Sequence, residues 1–354
     1  MIKTLLIIDG NYQMNRAWYA IPQTMTTHSG QPINATYGFC LYMFDMIKSF
    51  NATHVAVTFD PPRTEQNPNP TWRHEEYAGY KEGRKPKPVE FKRQFSATAE
   101  ILNALNIGFC MIPRHEVDGE MIPGCEADDI IAAIAHQADQ QHIQAVIASA
   151  DKDLYQLVTP SVSVWTGGKK TPEMITPDYL WQKEKLTPYQ YLETKILMGD
   201  KSDNLPGIDR VGEKTAPNLI KQFGSIATMY MELHKVESAV VRKNLETQKR
   251  RARFNYKMMY LNPTRANVTL HRFNNQPIGN YSPHKALTAL HKYNLMRLQH
   301  HLPPVITLNQ PNPKLTQPKP VFAIPTPNQS EILPDDEHVF DEHKTELIYQ
   351  PTLL

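Results

Sequence analysis

Apolar residues in this chain gather into short runs that stop at aspartate. Thr4–Ile8 leads into Asp9, Val55–Phe59 into Asp60 and Ala145–Ala150 into Asp151, while Ser161–Trp165 reads as a fourth strand. Between them, apolar positions recur at helical spacing over Tyr37–Phe50, Phe91–Leu105 and Asp128–Ala138. The alternation predicts an α/β fold, a central and mainly parallel twisted sheet flanked by helices. Ligands of such sheets bind beyond the carboxyl ends of the strands, so three strands ending in aspartate predict a site there. From about Pro177 to His300 the strand signal gives way to helix. Beyond Leu302 the periodicity dissolves, and ten of the 29 prolines fall in the last 54 residues. Such a composition buries too little surface to offset the entropy of ordering. The expected organisation is an α/β domain over 1–176, a helical subdomain over 177–300 and a Pro-rich disordered tail over 301–354.

Nine carboxylates fall in five groups: Asp9; Asp60; Glu126, Asp128 and Asp129; Asp151 and Asp153; Asp200 and Asp203. Gathered without cations they would repel one another, and several would stay protonated at neutral pH. Hard divalent metal bound through oxygen resolves that conflict and points to two-metal phosphoryl transfer. Asp151 and Asp153, two apart, would point to one side of an extended strand end. Asp200 and Asp203, three apart, would share a helical face. Glu126–Asp129 precedes the apolar run Ile130–Ile134, where capping alone explains Asp128 or Asp129 equally well.

The formal net charge of +2 conceals an asymmetry. Residues from 301 onward hold seven acidic and three basic side chains, which leaves 35 basic and 29 acidic in the first 300, or +6. A basic body around an acidic centre suits a polyanionic substrate. No apolar run is long enough to span a bilayer, and Lys3 with LLIID is too brief for a signal peptide. Cys40, Cys110 and Cys125 are widely spaced and read as free thiols in a reducing cytoplasm.

Two further patterns bear on a polyanion. Arg73, Tyr77, Tyr80, Lys81 and Arg84 are spaced to lie along one side of a helix, a cationic and aromatic face for phosphate and an end base. Gly79 and Gly83 weaken that helix, and Pro86 and Pro88 end it; the segment is expected to be loose until nucleic acid orders it. Gly207, Ile208, Val211 and Gly212 lie in what looks like the turn of a helix–hairpin–helix, with Lys214 and Thr215 opening the next helix toward an anion. Lys249, Arg250, Arg251 and Arg253 add a basic run suited to a duplex backbone, or to a solvated helix face.

Six stretches carry a family resemblance: IDGNYQMNR (8–16), TTHSGQPINATYGF (26–39), RHEEYAGYKEGR (73–84), CEADD (125–129), ADKDLYQL (150–157) and GDKSDNLPGIDRVGEKTA (199–216). In this order they resemble the 5′-nuclease family, which includes the 5′–3′ exonuclease domain of bacterial DNA polymerase I and phage-type flap endonucleases. The resemblance runs over roughly residues 1–290 and implies an arch at about residues 72–90. It implies that all nine carboxylates serve metal, with Asp9, Asp60, Glu126 and Asp128 nearer the catalytic ion. Asp129, Asp151, Asp153, Asp200 and Asp203 would form the second cluster. It further implies that Lys81 and Arg84 stabilise the scissile phosphate, that Tyr80 stacks on a base, and that Arg16 contacts phosphate. The implied cofactors are two or more Mg²⁺ or Mn²⁺, with K⁺ at the hairpin.

The implied substrate is DNA with free 5′ ends, flaps or nicks, cut to 5′-phosphate and 3′-hydroxyl products. The chain departs from its relatives in the stretch PPRTEQNPNP after Asp60, in the expanded approach to Glu126, and in Pro217. Two alternatives stand beside this: a related ribonuclease acting on RNA primers or hybrids, and a non-catalytic branched-DNA binder. Without polymerase motifs, the expectation is a stand-alone monomeric nuclease in a bacterial or phage-infected cytoplasm. Its acidic-apolar tail would dock a replication protein.

Overall fold

A computed structural model describes residues 3–64, 67–117, 119–167, 171–270 and 277–305. All but the first five positions of the expected tail lie outside the described residues. Strands β1 (Thr4–Asp9), β2 (His54–Thr58) and β3 (Gly108–Cys110) are followed by a small antiparallel hairpin, β4 (His115–Val117) with β5 (Glu120–Ile122). Strands β6 (Gln144–Ala148), β7 (Val162–Trp165) and β8 (Met174–Ile175) complete a six-stranded sheet of order β3-β2-β1-β6-β7-β8. Every pairing in it is parallel except β7 with β8. Central β1 pairs Ile8 with Val57 on one side and with Ala148 on the other, which aligns the carboxyl ends of β1, β2 and β6.

Alternation along β1 divides the core. Leu6 and Ile8 face α1 (Gly10–Ala20), α2 (Asn34–Ser49) and, beyond the short α3 (Trp72–Glu76), α4 (Val89–Ala104), packing with Met14, Phe39, Met43 and Ile101. Leu5 and Ile7 face α5 (Ala127–Gln140) and pack with Ile130, Ile131 and Ile134. With helices on both faces, β1 has no solvent side, and its apolar run is continuous rather than alternating.

A third core belongs to helices alone. After α6 (Pro177–Glu184) come α7 (Pro188–Met198), α8 (Thr215–Phe223), α9 (Ile226–Met231), α10 (Ala239–Thr247) and α11 (Lys249–Met259), which enclose Ile196, Leu197, Ile220, Met229 and Leu245. The division differs from the expected 177–300. Leu180 of α6 packs under the sheet, as do Leu261 and Leu270, and the helix Pro283–Lys292 returns Ala286 and Leu290 to the α1–α2–α4 layer. Helical periodicity marks an apolar face but not the core it joins. Pro217 is the third residue of α8, inside the first turn where its missing N–H costs no helical bond. Among the described residues no helix is long and apolar enough to cross a membrane.

One buried acid makes this core sensitive to pH. Glu193 of α7 accepts from the Ile226 N–H at 2.8 Å through Oε1, while Oε2 has no hydrogen-bond partner among the described residues. Burial pushes its carboxyl up from an ordinary 4.5 to about 7, against the pull of that N–H. A raised folded-state value favours the protonated form, so its stabilising contribution is complete below about 4.5 and is lost as pH rises through about 7. Urea unfolding of Glu193→Gln should therefore lose part of the wild-type decline in stability over this range, on the order of 1–3 kcal/mol. Superimposable pH profiles would contradict the assignment.

Candidate metal and phosphate site

The three strand-end aspartates arrive where expected, and each also caps a neighbouring turn. Asp9 closes β1 and caps α1, accepting from the Tyr12 N–H at 2.9 Å and the Ser149 hydroxyl at 2.8 Å. Asp60, just beyond β2, accepts from the Ala127 N–H at 2.8 Å, the first amide of α5. Its own N–H donates to Asn11 at 3.0 Å. Asp151 caps the 3₁₀ turn Lys152–Leu157 by accepting from the Asp153 N–H at 2.9 Å. The extended end expected for Asp151 and Asp153 is thus a tight turn, because the Asp151 carboxylate draws the following amide toward itself. Asp200 likewise caps the 3₁₀ turn Lys201–Asp203, so Asp200 and Asp203 share one turn rather than a long helical face.

Charge balance differs sharply within the cluster. Asp128, in the first turn of α5, is pushed well above the carboxylate range by burial, then by Asp151, Asp9, Asp60 and Glu126. Burial raises Asp9 to about 7, and Asp60 and Asp151 add to it. Asp60 and Asp151 are themselves raised by desolvation in the crowded cluster, although Asp60 is only half-buried and Asp151 is exposed at its turn. Glu126 goes the other way: burial would raise it, but Lys81 and Arg73 hold it at about 2. The Lys81 ammonium sits 2.6 Å from Glu126, and the Tyr80 hydroxyl lies 2.9 Å from both Glu126 and Asp203, its single proton shared between them. Arg84 reaches Asp203 at 2.7 Å, and Lys195 lies between Asp153 and Asp200.

A cleft lined by Arg73, Tyr80, Glu126, Asp128, Asp153, Asp200 and Asp203 joins the sheet edge to the helical unit. Among the described residues, no three His, Cys, Asp or Glu side chains converge as a ready ion cage. Glu126, Asp203, Asp153 and Asp200 are turned instead toward Lys81, Arg84 and Lys195. The donor set is nonetheless all carboxylate oxygen, the chemistry that hard divalent ions take.

Several expectations need correction. The single cationic-aromatic helix face does not form: α3 ends at Glu76, and left-handed Lys81 and Gly83 fold the chain back over the site. Arg73 is buried, with both terminal nitrogens on Asp129 at 2.8 and 3.0 Å and a further bond to Glu126 at 3.1 Å. It is an internal pin rather than a phosphate contact. Tyr80 is buried too, so its ring offers no stacking face. Asp129 spends its oxygens on Arg73, the Trp72 ring N–H at 3.1 Å and the Glu126 amide at 3.0 Å. That is the capping geometry, reinforced by an arginine that Asp129 shares with Glu126.

Tyr77 packs edge-on against Phe254. Arg16 lies over the Tyr42 ring at 3.9 Å, half-exposed. In the hairpin, Ile208 and Val211 are buried anchors, while Gly212 and Lys214 are exposed and Thr215 opens α8 half-buried. A Cβ on Gly207 would meet the Met198 carbonyl oxygen at 2.0 Å, so this glycine serves a close approach to the chain's own backbone. Arg251 is held by the Gly207 carbonyl at 2.9 Å and by Asp209. Lys195 and Trp72 escaped the sequence reading because their partners are remote or carry no local pattern. Ser149 could have been found, two residues before Asp151 at a strand end.

The chain is similar to known proteins in both sequence and fold. Residues 4–185 match the 5′-3′ exonuclease N-terminal resolvase-like domain, and residues 186–279 match the 5′-3′ exonuclease C-terminal SAM fold. The chain is 36% identical over 244 residues to the thermostable DNA polymerase I of Thermus thermophilus, covering 68% of this chain and 27% of that protein. It is 36% identical over 252 residues to DNA polymerase I of Bacillus subtilis, covering 71% of this chain and 27% of the relative. The match thus spans about a quarter of these relatives' length. In fold it resembles the bacteriophage T5 D15 flap endonuclease, solved with DNA and metal ions, at TM-score 0.57 and 20% identity over 74% of this chain and 90% of that one.

The Arg73–Asp129 pair sets a stability test. Arg73→Met should lower unfolding stability by about 3–5 kcal/mol, because it strands a buried carboxylate. The double variant Arg73→Met/Asp129→Leu should recover much of that loss in urea titrations. Equal midpoints for wild type and the single variant would refute the pairing.

Proposed function

The chain belongs to the 5′-3′ exonuclease family, and from that premise we propose a divalent-metal-dependent, structure-specific 5′ nuclease acting on DNA flaps, nicks and free 5′ ends. One observation carries the proposal: Asp128, half-buried, stands among Asp9, Asp60, Asp151 and Glu126, a concentration of like charge at the sheet's carboxyl edge that demands cations. Asp9, Asp60, Glu126 and Asp128 would hold the first ion, and Asp151, Asp153, Asp200 and Asp203 would serve the second. Asp129 is omitted, since its oxygens position Arg73. Mg²⁺ or Mn²⁺ suits this oxygen set, and the metal ions described with the T5 flap endonuclease support the assignment. Such ions supply water activation and charge stabilisation for in-line attack on a phosphodiester.

The protein's own cations complete the site. Lys81 and Arg84 rest on Glu126 and Asp203, within a side chain's swing of the cleft. Cations among the carboxylates would free both to meet the phosphoryl oxygens, where preorganised positive charge favours the transition state. Tyr80, bonded to both carboxylates, fixes their separation. Lys195 keeps Asp153 and Asp200 together across α7 and the following turn. The exposed Gly212–Lys214 backbone would face duplex phosphates at the start of α8, so recognition rests on backbone and shape.

Asp128→Asn should cut flap cleavage by about a hundredfold or more while leaving flap affinity nearly unchanged. Lys81→Ala should slow single-turnover cleavage far more than it weakens binding. Single-turnover rates and fluorescence anisotropy separate the two effects. Full activity in Asp128→Asn would remove the proposed role of the cluster.

A further inference from the structure

Helix α1 begins at the carboxylate cluster and runs away from it, and its outward side is chemically uniform. Asp9 caps the helix, and Tyr12, Arg16 and Tyr19 follow at i, i+4 and i+7, which places them on one stripe. Tyr12 is half-buried, with its hydroxyl on the Gly167 carbonyl at 2.5 Å. Arg16 is stacked flat over Tyr42. Tyr19 is 75% exposed, a large aromatic surface for a ring anchored on a core helix. Beside it the exposed chain Lys85–Pro88 comes from the site, and the Lys87 ammonium stands 5.7 Å from the centroids of both Tyr19 and Phe91.

Rings and cations therefore alternate from the cluster outward for about 15 Å, at about 1.5 Å of helix per residue. This is the composition of a single-strand nucleic-acid track, in which rings stack bases and cations follow the phosphates. Exposed Val89 and Glu90 follow at the start of α4, but the stripe itself offers rings and cations rather than the apolar depth a protein partner would bury. We infer that the unpaired 5′ strand of the substrate lies along α1, with one base stacked on Tyr19 and its phosphate held by Lys87. The inference rests on the nuclease reading above but concerns residues outside the carboxylate cleft.

The test compares DNA carrying a 5′ flap long enough to reach Tyr19 with a nicked duplex that has no flap. A 2-aminopurine placed at the base expected over Tyr19 reports stacking directly. Tyr19→Ala should lower the flap-to-nick ratio of affinities about fivefold or more, the span of one lost base stack. It should also abolish the 2-aminopurine change, and Tyr19→Trp should restore both. Trp181→Ala, which removes another exposed ring, on α6, should leave the ratio as in wild type. An unaltered ratio and fluorescence in Tyr19→Ala, or an equal loss in Trp181→Ala, would overturn the track. Because affinity and fluorescence are read without cleavage, they decide the track even if the wild-type protein cuts neither substrate, a result that would instead defeat the nuclease reading.

Discussion

Like-charge repulsion at the carboxyl edge of the sheet is the constraint around which the rest of the molecule is arranged. Buried Asp9, half-buried Asp60 and Asp128 and exposed Asp151 are all raised, chiefly by desolvation in the crowd of carboxylates, whereas Glu126, in the same pocket, is held down to about 2 by Lys81 and Arg73. The difference is the presence of a close cation. The protein supplies such partners on the side facing the helical unit, through Lys81, Arg84 and Lys195, and leaves the strand-end side short of them. A site built this way attracts external cations where its own are missing, and keeps its own where a phosphate will arrive.

The same residues do structural work. Asp9, Asp60 and Asp151 each satisfy an amide at the start of a helix or 3₁₀ turn, so the carboxylates are fixed by the fold's backbone bonds as well as by side-chain contacts. Arg73 then ties α3 to the first turn of α5 through Asp129 and to α11 through the Met258 carbonyl at 2.9 Å. One guanidinium thus joins the sheet domain, the segment over the site and the helical unit. That pin explains why Trp72 and Tyr80 belong to the helical core although they precede it by many residues.

Local patterns made part of this legible. The apolar runs ending in Asp9, Asp60 and Asp151 were readable because a strand buried on both faces leaves a continuous signature. The short β3 and β8 carried too few residues to show one. Asp129 as a cap was readable at the same level as Asp129 as a ligand, and the arrival of Arg73 from 56 positions away, which adds to the capping bonds, had no local signal. The cationic-aromatic stretch misled for a backbone reason: spacing assumes one conformation throughout, and positive φ at Lys81 and Gly83 breaks it. The helix Pro283–Lys292 was readable as a helix, but its return to the α1–α2–α4 layer depends on contacts with Glu100 and its neighbours that no local period encodes.

Calorimetric titration of the metal-free protein with Mg²⁺ near pH 7, repeated in buffers of different ionisation enthalpy, tests the electrostatic claim most directly. Because Asp9 lies near 7 and Asp60, Asp128 and Asp151 are also raised, cations entering the cluster should displace protons. The observed enthalpy should therefore vary with buffer, the number of protons released should fall as pH rises well above 7, and Asp128→Asn should release fewer. A binding enthalpy independent of buffer at pH 7 would show that the cluster is already fully ionised, and would contradict the account.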